Sequence, residues 1–392
     1  MNNNWVMTFG MAHAPLSLTY FPFKKRTYRL IINSAISGVG ARIRLSNKYS
    51  DCAVTIEKVS IARCSQNGEL IGDIKKLTFG SEKSVTIGGG ERILSDCADI
   101  SVSPDDYLAI TFLVTAGDLK SGNAVKSGNL IFCDGDKAYE KVIPDQNRSR
   151  TKLIKAVTGL MHLQQPMPIP LVEAAELDNR ENASAIMCFG DSLMQQGMWT
   201  SIFEDKIREK FGSKYSVITM SIIGNRLMYD CSPKFILKGF FGVSAFKRVD
   251  ENVFDYDNIS HAIICIGIND LLQPDTYQSP KEEFPAFEAF CNDLTRLFSM
   301  FSQHKIKTLA MNYLPVGKSP DWRDFKEPIR LQLNEWLKAA TIYDAFCDLN
   351  AILEDKTNPR FAISEYICKD KLHPNKSGGE AIANAIPLDF FN

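Results

Sequence analysis

Up to about residue 165 the apolar positions come in short runs with a period of two. Runs at 28–33, 41–45, 54–62, 83–87 and 107–114 are rich in β-branched and aromatic side chains. Turn-forming pairs and triplets separate them, among them Ser37-Gly38, Asn67-Gly68 and Gly88-Gly89-Gly90. Strands at this spacing predict an all-β domain over 1–165, a β-sandwich or jelly roll. Prolines at 166, 168 and 170 and the acidic run behind them predict an extended linker over 166–183. From 184 the texture changes. Continuous apolar runs at 184–189, 216–221, 262–266, 308–312 and 342–348 alternate with helical periodicity at 200–210, 285–304, 328–339 and 377–386. That alternation predicts an α/β domain over 184–392, with a parallel sheet covered by helices on both faces.

In open parallel sheets the ligand crevice lies outside the carboxyl ends of the strands. Three of those ends carry polar clusters: Gly190-Asp191-Ser192-Leu193, Gly224-Asn225-Arg226 and Gly267-Ile268-Asn269-Asp270. Far downstream, Asp370-Lys371-Leu372-His373-Pro374-Asn375 opens a glycine-punctuated helix. Cleaving an ester needs a hydroxyl activated by a neighbouring base, a carboxylate to orient that base, and fixed N–H donors for the developing oxyanion. Ser192 offers the hydroxyl at a strand-to-helix turn. Asp370 and His373, three residues apart, can face one another. The backbone N–H groups of Ser192 and Gly224 and the Asn269 amide are candidate oxyanion donors. Asp191 is read as ordering its turn, and Asp270 as orienting the loop of Asn269.

Composition narrows the function. Net charge is −1, from 45 basic and 46 acidic side chains, so no basic bias points to nucleic acid or an anionic membrane surface. The N-terminus lacks the basic start and apolar run of a signal peptide, and no stretch approaches the length of a bilayer span; both predict a cytoplasmic protein without membrane contact, with a secreted mature form as the alternative. The ten cysteines form no CxxC pair and read as reduced thiols. Asp191, Asp270, Asp370 and His373 are the only clustered metal-ligand candidates, and the chemistry above occupies them. No metal and no cofactor are expected.

The four clusters resemble, in order and spacing, the conserved blocks of the SGNH (GDSL) hydrolase superfamily: FGDSL at 189–193, Gly224, GIND at 267–270 and DKLHPN at 370–375. The resemblance implies a three-layer α/β/α flavodoxin-like fold and a Ser192, His373, Asp370 triad. It also implies an oxyanion hole of Ser192, Gly224 and Asn269. Trp5, the RIRLSN stretch at 42–47, GNRL at 224–227 and the segment 242–253 are similar to a bacterial branch in which a β-rich domain precedes the SGNH domain. Members of that branch are described as GDSL lipases or esterases, and some related two-domain enzymes deacetylate plant polysaccharides.

The expected function is therefore a serine-dependent carboxylic-ester hydrolase acting through an acyl-enzyme on short acyl or acetyl esters of small molecules or oligosaccharides. An acyltransferase with the same triad, a lipase or lysophospholipase, and a carbohydrate-binding protein with an inactive hydrolase domain are the alternatives. Arg226 is read either as a substrate contact or as an ion-pair partner that holds its loop. The apolar segment 235–242, with Phe240 and Phe241, is read either as a pocket wall or lid or as packing against the N-terminal domain. Of the remaining histidines, His261 is read as structural, and His13, His162 and His304 as surface residues.

Overall fold

A computed structural model describes residues 4–16, 25–146 and 168–392. His162 and the part of the expected β-domain at 147–165 lie outside them. The chain divides into two compact units, Met1–Ala185 with Phe211–Ile218, and Ile186–Lys210 with Thr219–Asn392.

In the first unit the period-2 runs become antiparallel sheets. Gly128–Asp134, Arg26–Asn33, Tyr107–Ala116, Val54–Cys64 and Leu70–Lys76 follow one another in one sheet, with Val85–Ile87 paired to Val54–Cys64. A second sheet runs Trp5–Gly10, Val172–Asp178, Gly38–Ser46 and Arg92–Leu94, with Ala98–Val102 also on Gly38–Ser46. One core cluster draws on both sheets, taking Leu30, Ile32, Ile110 and Phe112 from the first and Val6, Ile43, Leu45 and Leu177 from the second. This is the sandwich expected of alternating strands. Strand Val54–Cys64 shows how the alternation is broken. Its core residues step from Ile56 to Val59, because the register shifts where Leu113 faces Lys58 and Val114 faces Ile56. The extra residue is a β-bulge, which reverses the inward parity without removing the strand from the sheet. His13, expected at the surface, is buried, its ring nitrogens 3.0 Å from Ser121 Oγ and 3.2 Å from the Val172 carbonyl.

Of the expected linker over 166–183, the described part from 168 on is not one. Ile169–Pro170 pairs with Ser121–Asn123, and Val172–Asp178 is a buried central strand between Trp5–Gly10 and Gly38–Ser46. The prolines end before the strand begins. The acidic residues that suggested a solvated connector are paired inside the sheet: Glu173 with Arg92, and Glu176 with Arg42 at 2.9 Å.

From residue 184 onward a five-stranded sheet has the order Tyr215–Ser221, Ser184–Gly190, Ile259–Cys265, Lys307–Met311, Ala345–Cys347. The last three run parallel. The chain steps outward from Ser184–Gly190 to one side and then returns to its other side, so right-handed crossovers place the connecting helices on opposite faces. Those helices, Thr200–Phe211, Phe287–Gln303, Glu327–Ala339 and Lys376–Ala385, stand where the periodicity predicts them. The reversal of strand order puts a crevice between the carboxyl ends of Ser184–Gly190 and Ile259–Cys265. His261, expected to be structural, is buried against Phe390 and Phe391. No helix among the described residues is long and apolar enough to cross a membrane. All ten cysteines are unbridged.

Candidate active site

Strand Ser184–Gly190 ends at a glycine because a Cβ there would meet the Cys265 carbonyl oxygen at 2.2 Å. The chain turns at Asp191, whose Oδ1 accepts from the Leu193 N–H at 3.0 Å and caps the short helix Ser192–Gln195. Ser192 therefore leads that helix at the crevice, 5 % exposed. His373 arrives from the other end of the chain. Asp370 Oδ1 accepts the backbone N–H groups of Leu372 and His373, each at 3.0 Å, and Lys371 adopts a left-handed φ of 62° to close the turn. Helix Lys376–Ala385 follows, capped by Asn375 through the Gly378 N–H at 3.1 Å. Gly379 lets that helix rest on the turn behind Ser192, where a Cβ would meet the Met198 carbonyl oxygen at 2.4 Å.

The result is a continuous chain of hydrogen bonds. Asp370 Oδ2 lies 2.7 Å from His373 Nδ1, and His373 Nε2 lies 2.8 Å from Ser192 Oγ. A carboxylate at Nδ1 fixes the proton there and leaves Nε2 to accept from the serine hydroxyl. Burial acts to raise the Asp370 carboxyl, but the His373 ring and the two backbone N–H groups prevail and hold it at about 2.

Asn269 lies at the end of the neighbouring strand, entered through Gly267 at φ 118°. Its Nδ2 donates to Asp191 Oδ2 and to the Asn225 carbonyl, each at 3.1 Å. Asn269 is thus 7 % exposed and oriented from two sides. Asp270, expected to orient this loop, accepts the N–H groups of Leu227 at 2.7 Å and Met228 at 3.0 Å, so it binds the Asn269 helix to the loop of Gly224. Gly224 itself has φ 66°, and its carbonyl accepts from Gln273 Nε2 at 2.6 Å.

Burial raises the Asp191 carboxyl to about 7, against the Leu193 N–H and the charges of His373 and Arg248, and with Asp270 adding to the rise. Asp270 is raised to about 6 by the same burial. A carboxyl whose folded pKa exceeds its unfolded value favours folding while protonated. That contribution is complete below about pH 4 and is lost as pH rises through about 7. The melting temperature is accordingly expected to fall between about pH 4 and 7, and to fall less in Asp191→Asn. Superimposed melting profiles of the two proteins would refute the buried, titrating carboxyl.

Arg226 is not presented to the crevice. It is 2 % exposed; its Nη1 is 2.5 Å from Glu283 Oε2, and Nη2 donates to the Asp230 carbonyl. Of its two sequence readings the loop-holding one matches this geometry, since a guanidinium removed from water keeps its counter-charge. Two residues with no assigned role prove central. Arg248, 1 % exposed, donates from Nη2 to the Gly190 carbonyl, from Nη1 to the Met220 carbonyl and from Nε to Asn225 Oδ1, each at 2.8 Å. Its Nη1 also reaches Asn252 Oδ1 at 3.3 Å, and its guanidinium lies 4.1 Å over Phe189. Asn225 then donates from Nδ2 to the carbonyls of Phe241 at 2.8 Å and Val243 at 2.7 Å. The 242–253 pattern contains Arg248, but a lone arginine in a helix reads as a solvated one. Among the described residues no cluster of histidine, cysteine or carboxylate side chains is arranged to hold a metal ion.

Residues 188–381 match the model of the GDSL-like lipase/acylhydrolase family. No curated protein matches the chain. Among solved structures, an acetylxylan esterase from Geobacillus stearothermophilus is similar at 16 % identity over 53 % of this chain and 95 % of that one, with a TM-score of 0.41. A GDSL-like lipase from Bacteroides thetaiotaomicron is similar at 14 % identity over 62 % and 97 %, with a TM-score of 0.38. The esterase EstA from a Pseudoalteromonas species shares 21 % identity over 52 % and 94 %, with a TM-score of 0.33.

Proposed function

We propose, from the premise that residues 188–381 form an ester-hydrolysing domain of the GDSL-like lipase/acylhydrolase family, that the chain cleaves carboxylic esters through an acyl-enzyme on Ser192. The observation that carries this reading is the Asp370–His373–Ser192 hydrogen-bond chain, at 2.7 and 2.8 Å. His373 Nε2 takes the Ser192 proton as Oγ attacks the ester carbonyl, then gives it to the departing alcohol oxygen. Asp370 keeps its charge throughout and stabilises the imidazolium. The carbonyl oxygen, now an anion, is held by the N–H groups of Ser192 and Gly224 and by the Asn269 amide. Asn269 supplies its donor by shifting one N–H from Asn225 or Asp191. Water, activated by the same histidine, then releases the acid.

For the substrate, we read short acyl groups, acetyl above all, on a polar alcohol such as a sugar hydroxyl. The departing oxygen must face His373. A shallow, open groove beside the His373 loop is lined by Pro315, Lys318, Ala362, Ser364, Ile367 and Lys371. Its mix of ammonium, hydroxyl and small apolar groups suits a hydroxyl-rich alcohol better than a lipid glycerol. The experiment is covalent labelling with a fluorophosphonate, followed by peptide mass mapping. One label per chain on Ser192, with hydrolysis of a chromogenic acetate ester lost in step, is expected. Labelling elsewhere, or full activity after complete labelling of Ser192, would overturn the reading.

A further inference from the structure

The loop after the Gly224 turn is apolar yet closely fastened. Its neck is closed by the Cys231 N–H on the Gly242 carbonyl at 2.9 Å, the Ser244 N–H on Asp230 Oδ1 at 2.9 Å, and the two Asn225 bonds to Phe241 and Val243. Gly239 and Gly242, at φ 75° and 71°, make the reversals that bring its tip back. Within it, Phe235 is buried and stacks on Phe241 with centroids 4.5 Å apart and planes 12° apart. Tyr277 closes on Phe235 at 6.1 Å. Ile236, by contrast, is 85 % exposed.

One ring of this loop lies on the oxyanion corner. A Cβ built on Gly224 would fall 2.2 Å from Phe241 Cδ1, 2.5 Å from Cε1 and 2.6 Å from Cγ. The Phe241 ring therefore occupies the space that any other residue at 224 would fill. It is held there by its stack on Phe235 and by Asn225, whose carbonyl in turn holds Asn269. Three directions leave the reacting carbon besides the bond to Ser192 Oγ. The oxyanion points to Gly224 and Asn269, and the departing alcohol points to His373. The acyl chain takes the remaining direction, away from the His373 loop, and the Phe241 ring packed on Gly224 is the side chain that this reading sets across it.

We infer that Phe241 is the end wall of the acyl subsite and fixes its capacity at straight acyl chains of two to four carbons. This rests on the Ser192 reading above. Overfilling a packed pocket costs enough to suppress longer chains roughly tenfold or more. The ring is also a specificity device separate from chemistry: removing it changes which ester is cleaved without removing a proton-transfer group or an oxyanion donor.

The test is the kcat/KM profile of purified wild type, Phe241→Ala, Phe241→Trp and Ile236→Ser on p-nitrophenyl esters from C2 to C10, below their micellar concentrations, with thermal melts of each. Wild type and Ile236→Ser should peak at C2 to C4. Phe241→Ala should raise C6 and C8 relative to C2 by about tenfold, and Phe241→Trp should lower C4 relative to C2. An unchanged profile in both Phe241 variants, or the same shift in Ile236→Ser as in Phe241→Ala, overturns the wall. If Phe241→Ala does not fold, the tryptophan variant decides alone. A folded wild type that cleaves no ester in the series overturns the Ser192 reading instead, so the two failures are separable.

Discussion

Ser192→Ala and His373→Ala are each expected to lower kcat on a chromogenic acetate ester by about 10⁴-fold or more, and the double variant to lose no more than either alone. Both parts follow from the geometry. Ser192 Oγ and His373 Nε2 share one hydrogen bond, so neither has a catalytic function once the other is gone. Asp370→Asn should cost less. It keeps Oδ1 as acceptor for the two backbone N–H groups of the turn, but loses the charge that answers the imidazolium. Because the Asp370 carboxyl is held at about 2, its ionisation should leave no limb in the kcat–pH profile above pH 4. Turnover by Ser192→Ala near the wild-type rate, or additive losses in the double variant, would remove the pair from the mechanism.

Arg248→Met is expected to give the largest loss of stability of any single substitution away from Ser192. The guanidinium meets the carbonyls of Gly190 and Met220 and the side-chain oxygens of Asn225 and Asn252 while 1 % exposed. Deleting it leaves several buried acceptors without a donor, for about 3 kcal/mol or more in a denaturant titration. Activity should fall further than stability alone explains, because Gly190 precedes the Ser192 turn and Asn225 holds both Asn269 and Phe241. Arg248→Lys, with one point of donors in place of a planar fork, should recover part of the stability and little of kcat. Equal losses in the two variants, or wild-type kcat in folded Arg248→Met, would reduce Arg248 to an ordinary buried charge.

How much of this could be read from the residues depended on whether the signal was local. Strand and helix texture after residue 184 is a matter of neighbours in sequence, and the five parallel strands and four long helices fall where periodicity puts them. The polar clusters at the strand ends were equally legible. Ser192, Asp370 and His373, though up to 181 positions apart, come together in the structure. What escaped was non-local. Glu173 and Glu176 look like a solvated acidic run until Arg92 and Arg42 are seen across the sheet. Arg226 reads equally as a substrate contact or as a loop-holding ion-pair partner until Glu283, 57 residues on, is found beside it. Arg248 and Asn225 lie within the patterns at 242–253 and 224–227, but nothing local says what they do, because their meaning lies in which carbonyls the fold brings to them.

The strand Val172–Asp178 also sets a timetable. It is the central member of a sheet whose neighbours, Trp5–Gly10 and Gly38–Ser46, are made some 130 residues or more before it. As the chain leaves the ribosome, both neighbours must wait with an open hydrogen-bonding edge until residue 178 emerges. A fragment cut at 165 would stay in that waiting state permanently, two edges bare and Leu177 missing from the core. The β-rich part can be made by itself only if the cut falls after the strand that looked like its tether.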